Sequence, residues 1–181
     1  MQNLKVYSFN GKAIYSGFIK NGFDSSRIIN IIVAFDSKYD EFKRQGYTFP
    51  PHLFYYHEIS RPETIGVLIN KFHFTRTEAI ESFDKLIKEF NLEKICRINS
   101  DMHEQIVEEA NDVICKNDEK LRIGKQDIII IAGFLREKIN FIHADDAGFA
   151  ATCKELKLNI VPIAKRDRIK EKDIKKLMKH R

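Results

Sequence analysis

The sequence predicts an α/β fold: a three-layer α/β/α sandwich around a central, mainly parallel sheet of four or five strands. Three observations lead there. Short apolar runs alternate with longer segments of helical periodicity, the arrangement that builds a parallel sheet from βαβ units. Helical segments repeatedly open on an acidic or hydroxyl residue directly after such a run, as at Asp24 and at Asp145-Asp146. At 181 residues, 43% of them hydrophobic and 31% charged, the chain suits one domain that buries a real core.

In chain order, residues 1–20 read as a β-hairpin extension, because LKVYSF and AIYSGFI flank Asn10-Gly11, a strong two-residue turn signal. Residues 18–23 supply a first core strand, although Lys20, Asn21 and Gly22 are poor strand formers. Asp24-Ser25-Ser26 then opens RIINIIVAF. Its composition also fits a buried strand, but Ile28, Ile31, Ile32 and Phe35 share one helical face, so a helix is expected. Residues 36–51, polar with Gly46 and Pro50-Pro51, read as a helix end and loop. HLFYYHEI is a short strand. Ser60-Arg61-Pro62-Glu63 has the form of a capping box with proline in the first turn, and Thr75-Arg76-Thr77-Glu78 is a second. The helices they open, 62–73 and 76–90, form an inserted helical hairpin, with Ile80, Phe83, Ile87 and Phe90 along one face of the second. LEKICRI reads as a strand and 101–115 as an amphipathic helix. A polar loop, KNDEKLRIGKQ, leads to a helix opening on Asp127. Strands at 139–144 and 158–162 flank a last helix opened by Asp145-Asp146. The main domain therefore spans 21–164, followed by a basic C-terminal helix or tail at 165–181 with Ile174, Leu177 and Met178 as its apolar stripe.

Charge separates the tail from the body. Lys165 to Arg181 holds nine Lys/Arg against three Asp/Glu, a net +6, whereas the whole chain is +5. A basic tail is an electrostatic footprint for polyanions, and also what a solvated terminal helix commonly looks like. No apolar run approaches the roughly 18 residues of a spanning helix, and MQNLKVYSFNGK has no signal-peptide layout, so a cytoplasmic protein without membrane contact is expected. Cys96, Cys115 and Cys153 form no CxxC pair and read as thiols in a reducing compartment.

Residues just past the carboxyl ends of strands in an open α/β sheet face the crevice where ligands bind. Asp146 belongs at that rim, and Asp127, opening the preceding helix, can face the same place. Two carboxylates converging there suit a hard divalent cation. The plain alternative is that such acids are ordinary helix N-termini, each worth roughly 0.3–1 kcal/mol, and Glu63 taken alone reads as a capping box. Lys125, Arg136, Lys165 and Arg166 lie near the proposed rim and could hold a phosphate backbone, although scattered surface lysines would look the same. His52, His57, His73 and His103 lack metal-ligand spacing, and His143 reads as a core or rim histidine.

Taken together these segments resemble the PIN-domain family, and within it the VapC-like toxin ribonucleases. The family's early acid in a DT/SxxI-type motif corresponds to Asp24 in DSSRIINII. Its mid-chain glutamate corresponds to Glu63 in RPETIGVL, followed by the helical-hairpin pattern KFHFTRTEAIESFDKL. The third acid is Asp127 in QDIIIIAGFLREK. The fourth is Asp146 in HADDAGFAATCKELKLNIV; the adjacent Asp145 leaves two registers open, and Phe149 three residues on favours Asp146. Asp36 and Glu58 are second candidates for the first two acids; the SSxII context favours Asp24, and Pro62 stays in phase only with Glu63. Two departures stand out: Ala144 replaces the family's hydroxyl two residues before the fourth acid, and a hairpin precedes the domain.

The resemblance implies a PIN-like sandwich and a Mg²⁺- or Mn²⁺-dependent ribonuclease. In it Asp24, Asp127 and Asp146 would be metal ligands, and Glu63 a ligand or the group that orients the attacking water. Asp145 would be auxiliary, and Ser25 or Ser26 would hydrogen-bond a ligand carboxylate or the substrate. It also implies RNA as substrate, a homodimer, and an antitoxin or other protein partner. A PIN-like module that has lost catalysis and binds RNA or a protein is the alternative, with Ala144 as its best support. A phosphohydrolase on a related sheet would need a strand-end DxD motif, which the chain lacks.

Overall fold

The computed structural model describes residues 5–9, 12–16, 19–34, 52–99 and 101–162. Strands β1 (Lys5–Phe9) and β2 (Lys12–Ser16) pair antiparallel in a sheet of their own, with Phe9 opposite Lys12. That register leaves two residues for the connection, as the Asn-Gly signal requires.

The main sheet has five strands, all parallel: β3 (Ile19–Phe23), β4 (His52–His57), β5 (Glu93–Ile95), β6 (Phe141–Ala144) and β7 (Asn159–Pro162). Their order is β5-β4-β3-β6-β7. The chain therefore winds outward from β3 to one edge and then returns to β3's other side. Such a reversal opens a crevice at the carboxyl ends of the central strands. Helices α1 (Ser25–Ala34), α2 (Ser60–Phe72) and α3 (Arg76–Phe90) connect the first half; α4 (Met102–Cys115), α5 (Lys125–Arg136) and α6 (Ala147–Glu155) belong to the second.

Side chains of successive strand residues point to opposite faces, and the core splits accordingly. Phe23, Phe54 and Tyr56 pack with Ile28, Leu68, Phe83 and Phe90 of α1, α2 and α3. Tyr55, Ile95 and Ile142 pack with Val107, Ile130, Phe134 and Phe149 of α4, α5 and α6. Each such burial contributes roughly 1.5–3 kcal/mol before entropy is counted. Gly133 lets α5 lie flat on the sheet: a Cβ there would come within 2.6 Å of His57 Cδ2. The sequence's weak strand residues are also accounted for. Gly22 makes room for the Phe134 ring. Asn21 threads a polar bridge across three strands, donating to His52 Nδ1 (3.1 Å) and meeting His143 Nε2 through its Oδ1 (3.1 Å).

Several boundaries differ from expectation. The strand read at LEKICRI keeps only Glu93–Ile95, because this edge strand has β4 alone to pair with. Helix α5 begins at Lys125 rather than at Asp127, since Gly124 already takes the extended conformation of an N-cap. Helix α2 begins at Ser60 with Ile59 as its N-cap and no side-chain cap, so the first expected capping box does not form. The second does, on Thr75 and Glu78. Core strand β3 starts at Ile19, two residues before the expected start of the domain. The expectations for Phe35, for Asp36 and the rest of 36–51, and for Lys165, Arg166 and the basic tail fall outside the described residues. No helix among the described residues is long and apolar enough to cross a membrane.

Candidate metal centre

Three adjacent strands, β4, β3 and β6, aim their carboxyl ends at one rim, and the four candidate acids arrive there. Asp24 directly follows β3 and is anchored to β6 by its amide, which donates to His143 O (3.1 Å). Glu63 comes from the first turn of α2, after β4. Asp146 caps α6 just past β6, and Asp127 is the third residue of α5.

Hydrogen bonds tie these elements together through two serines. Ser25 Oγ donates to Glu63 Oε2 at 2.7 Å, joining residues 38 positions apart. Ser26 Oγ donates to Asp24 Oδ2 at 2.7 Å and accepts from the Asp145 amide at 3.2 Å. Asp127 Oδ2 accepts the Gly124 amide at 3.2 Å, and Asp146 Oδ1 accepts the Phe149 amide at 2.8 Å. The capping role expected of isolated acids is therefore real for Asp127 and Asp146. It is absent for Glu63, whose carboxylate turns away from its own helix end to meet α1.

Charge couples the acids in pairs. Burial raises the Asp24 carboxyl to about 6, with the nearby Glu63 charge adding to burial and the Ser26 and Ser25 bonds opposing it. Asp127 is also raised, first by burial and then by Glu63 and Asp146, against the Gly124 bond. Glu63 thus acts on both Asp24 and Asp127, and Asp146 on Asp127. Mutual repulsion among half-buried carboxylates is what a bound divalent cation relieves.

The donor set fits Mg²⁺ or Mn²⁺. Every candidate ligand is a carboxylate oxygen, the donor these hard ions prefer. No three His, Cys, Asp or Glu side chains among the described residues are gathered into a ready cage. The acids are linked in pairs, Asp24 with Glu63 and Asp127 with Glu63 and Asp146, and an ion bound there would keep several of its waters.

No protein-family model matches the chain, and no curated protein does. Solved structures do. A chain of VapBC2 from Rickettsia felis, bound to a DNA fragment from its promoter, superposes with a TM-score of 0.55 at 14% identity, covering 80% of this chain and 98% of that one. A chain of VapBC-1 from nontypeable Haemophilus influenzae gives 0.54 at 13% identity, again covering 80% and 98%. The fold is a VapC-like PIN-domain fold.

In this PIN-like sandwich the remaining candidates take different places. Lys125 is the first residue of α5, exposed, two positions before Asp127. Arg136 is engaged just past the carboxyl end of β5. It stands nine residues further along α5, roughly 13 Å by helical rise. Its guanidinium is occupied by Asp101, by Glu137 (3.4 Å) and by the Cys96 carbonyl (2.8 Å). It braces α5 against the loop after β5. Burial works to raise the Asp101 carboxyl, yet bonds from His103 and Arg136 prevail and lower it. Glu58, the second candidate for the mid-chain acid, accepts the Arg97 amide at 2.8 Å and so belongs to the β5 loop. Burial holds His143 down to about 3 and His57 to about 4, which makes both neutral core histidines. Asn21 is a supporting residue that sequence reading took only as a poor strand former; a buried amide among the strands was not legible between Lys20 and Gly22.

Proposed function

We propose that the protein is a Mg²⁺- or Mn²⁺-dependent endoribonuclease, toxin-like or RNA-processing, acting in the cytoplasm. The observation that supports it most is the Ser25–Glu63 bond, which sets a helix-opening glutamate beside Asp24 instead of on its own helix. Asp24, Asp127 and Asp146 would hold the ion directly or through water. The bound ion would lower the pKa of a coordinated water and polarise the scissile phosphate. Ser26 fixes the Asp24 carboxylate and Ser25 the Glu63 carboxylate, so that neither has to be ordered when substrate arrives. Glu63 orients the attacking water, Asp145 assists from beside Ser26, and Lys125 steadies a substrate phosphate. The basic residues Lys165 and Arg166, which follow the domain in sequence, would add charge for a polyanionic substrate. The solved structures of like fold are VapBC assemblies, which supports an antitoxin-type protein partner.

Cleavage of a generic RNA in Mn²⁺, followed on a gel, tests the reading. Activity that survives Asp127→Asn combined with Asp146→Asn overturns it. A second reading, a PIN-like module that binds RNA or a protein without cutting, is favoured by Ala144 in place of a hydroxyl. It expects RNA retention with no cleavage and no heat of Mn²⁺ binding in calorimetry.

A further inference from the structure

The segment between α4 and α5 has little of its own to hold it. Of residues 116–124 only Ile123 is buried, and a single 3-10 turn, Glu119–Leu121, is the regular structure. Its ion pairs, Arg122 with Glu119 (2.6 Å) and with Asp112 (3.3 Å), are solvent-exposed, the kind that contributes little. Yet this segment decides where α5 begins. Gly124 is the N-cap; its amide donates to Asp127 Oδ2 (3.2 Å), and its carbonyl accepts the Ile128 amide (3.1 Å).

A buried carboxamide holds it. Asn111 of α4 is 3% exposed. Its Nδ2 donates to the Leu121 carbonyl (3.1 Å) and to Thr152 Oγ1 (2.9 Å), while its Oδ1 accepts the Ile123 amide (3.3 Å) and the Cys115 thiol (3.4 Å). Both amide hydrogens and both lone pairs are thereby used, which leaves the side chain one orientation. The fully buried Thr152 hydroxyl in turn donates to the Gly148 carbonyl (2.9 Å). Gly148 closes the joint by packing, since a Cβ there would come within 2.7 Å of the Leu121 carbonyl oxygen. Thr152 and Gly148 belong to α6, the helix that Asp146 caps. One side chain therefore ties the segment that presents Asp127 to the helix that presents Asp146.

We propose that Asn111, seated on Thr152, is a positioning residue of the metal centre that sets the spacing between Asp127 and Asp146. Its role toward the ion rests on the nuclease reading of that centre. Ligands already held in place need no ordering when the ion arrives, so loosening the joint weakens binding.

Thr152→Val tests this, because it removes the hydroxyl that seats the carboxamide and leaves every atom of Asn111 and Asp127 in the chain. Amide hydrogen exchange of the full-length protein in EDTA, read by NMR, should show Ile123 and Ile128 exchanging roughly tenfold faster, beyond any change shared with amides of β4. In calorimetry the variant should bind Mn²⁺ roughly tenfold more weakly than wild type. Thr152→Ser should restore both readouts, and Thr75→Ala, which removes the cap of α3, should leave Mn²⁺ affinity unchanged. Exchange that rises evenly through the chain, a Thr152→Ser variant no better than Thr152→Val, or equal Mn²⁺ affinity in Thr152→Val and a binding wild type overturns the positioning role alone. A wild type that gives no heat with Mn²⁺ overturns the nuclease reading and the positioning role with it.

Discussion

Two helices of this protein open on the same four-residue signature, a hydroxyl followed three residues later by glutamate, and they use it differently. At α3, Thr75 and Glu78 form the reciprocal box: the Glu78 amide reaches Thr75 Oγ1 (3.2 Å) and the Thr75 amide reaches Glu78 Oε2 (2.8 Å). At α2, Ser60 is fully buried with no partner for its hydroxyl among the described residues, and Glu63 is held by Ser25 instead. One glutamate closes its own helix; the other links two helices at the mouth of the sheet. A local motif given up in favour of a distant partner marks the place where tertiary structure has overruled local preference. Such overrides gather at functional sites.

The comparison breaks most sharply on activity. Glu63→Gln should lower RNA cleavage about 10²–10³-fold, the size expected when a preorganised charged group is removed from a reacting centre. Glu78→Gln, in the other box, should leave cleavage unchanged. Equal losses in the two variants would show that Glu63 matters only for folding.

Asp24 gives the next effect, through pH. Its carboxyl stands near 6 in the folded protein against an ordinary 3.8, so the fold binds that proton more tightly than the unfolded chain does. The stabilising contribution is complete below about 3.8 and is lost as pH rises through about 6. For this buried group the loss amounts to about 3 kcal/mol. His57 and His143 act in the opposite sense, since their lowered values give stability above 6.5 that fades as pH falls toward 4 and 3. Urea unfolding in EDTA across pH 4 to 8 separates the two. Asp24→Asn should gain stability over wild type as pH rises, and added Mn²⁺ should stabilise wild type far more than the variant. A pH-independent difference would remove the electrostatic account of the crevice.

Ser25→Ala is the third step. It leaves Glu63 in place but unheld, and should weaken Mn²⁺ affinity or cleavage roughly tenfold, as loss of an outer-shell partner does. Restoration by Ser25→Thr would identify the hydroxyl as the cause.

Much of this was legible in the residues. The alternation of elements gave the parallel sheet, and Asp24 and Asp146 were visible where a strand hands over to a helix, whereas Glu63 and Asp127 showed only as acids in the first turn of a helix. Asp24 and Asp146 follow β3 and β6, which pair side by side, an adjacency that comes from strand order and not from spacing along the chain. What was not legible was choice among partners. Nothing local distinguishes Ser60-x-x-Glu63 from Thr75-x-x-Glu78, since the difference lies in Ser25, 38 residues away. Arg136 sits on the same helix as Asp127, and nothing local shows that its guanidinium is taken up by Asp101 and the Cys96 carbonyl in the loop after β5. Polar strand residues Asn21 and Gly22 looked like defects. Their reasons, a histidine pair and an aromatic ring, belong to other strands and helices.

The smallest expected effect separates the two motifs most directly. Thr75→Ala removes a cap in use and should cost about 1 kcal/mol, a drop in Tm of roughly 2–4 °C for a chain of this size. Ser60→Ala removes a buried hydroxyl that makes no hydrogen bond among the described residues, so its loss abandons no partner and relieves the burial of an unsatisfied group. The same substitution at the same place in the motif should therefore be neutral or slightly stabilising, with cleavage intact. Calorimetric scans of the two variants side by side decide it. If Ser60→Ala proves as costly as Thr75→Ala, Ser60 is capping α2 after all, and Glu63 is then drawn back to its own helix end and away from Ser25.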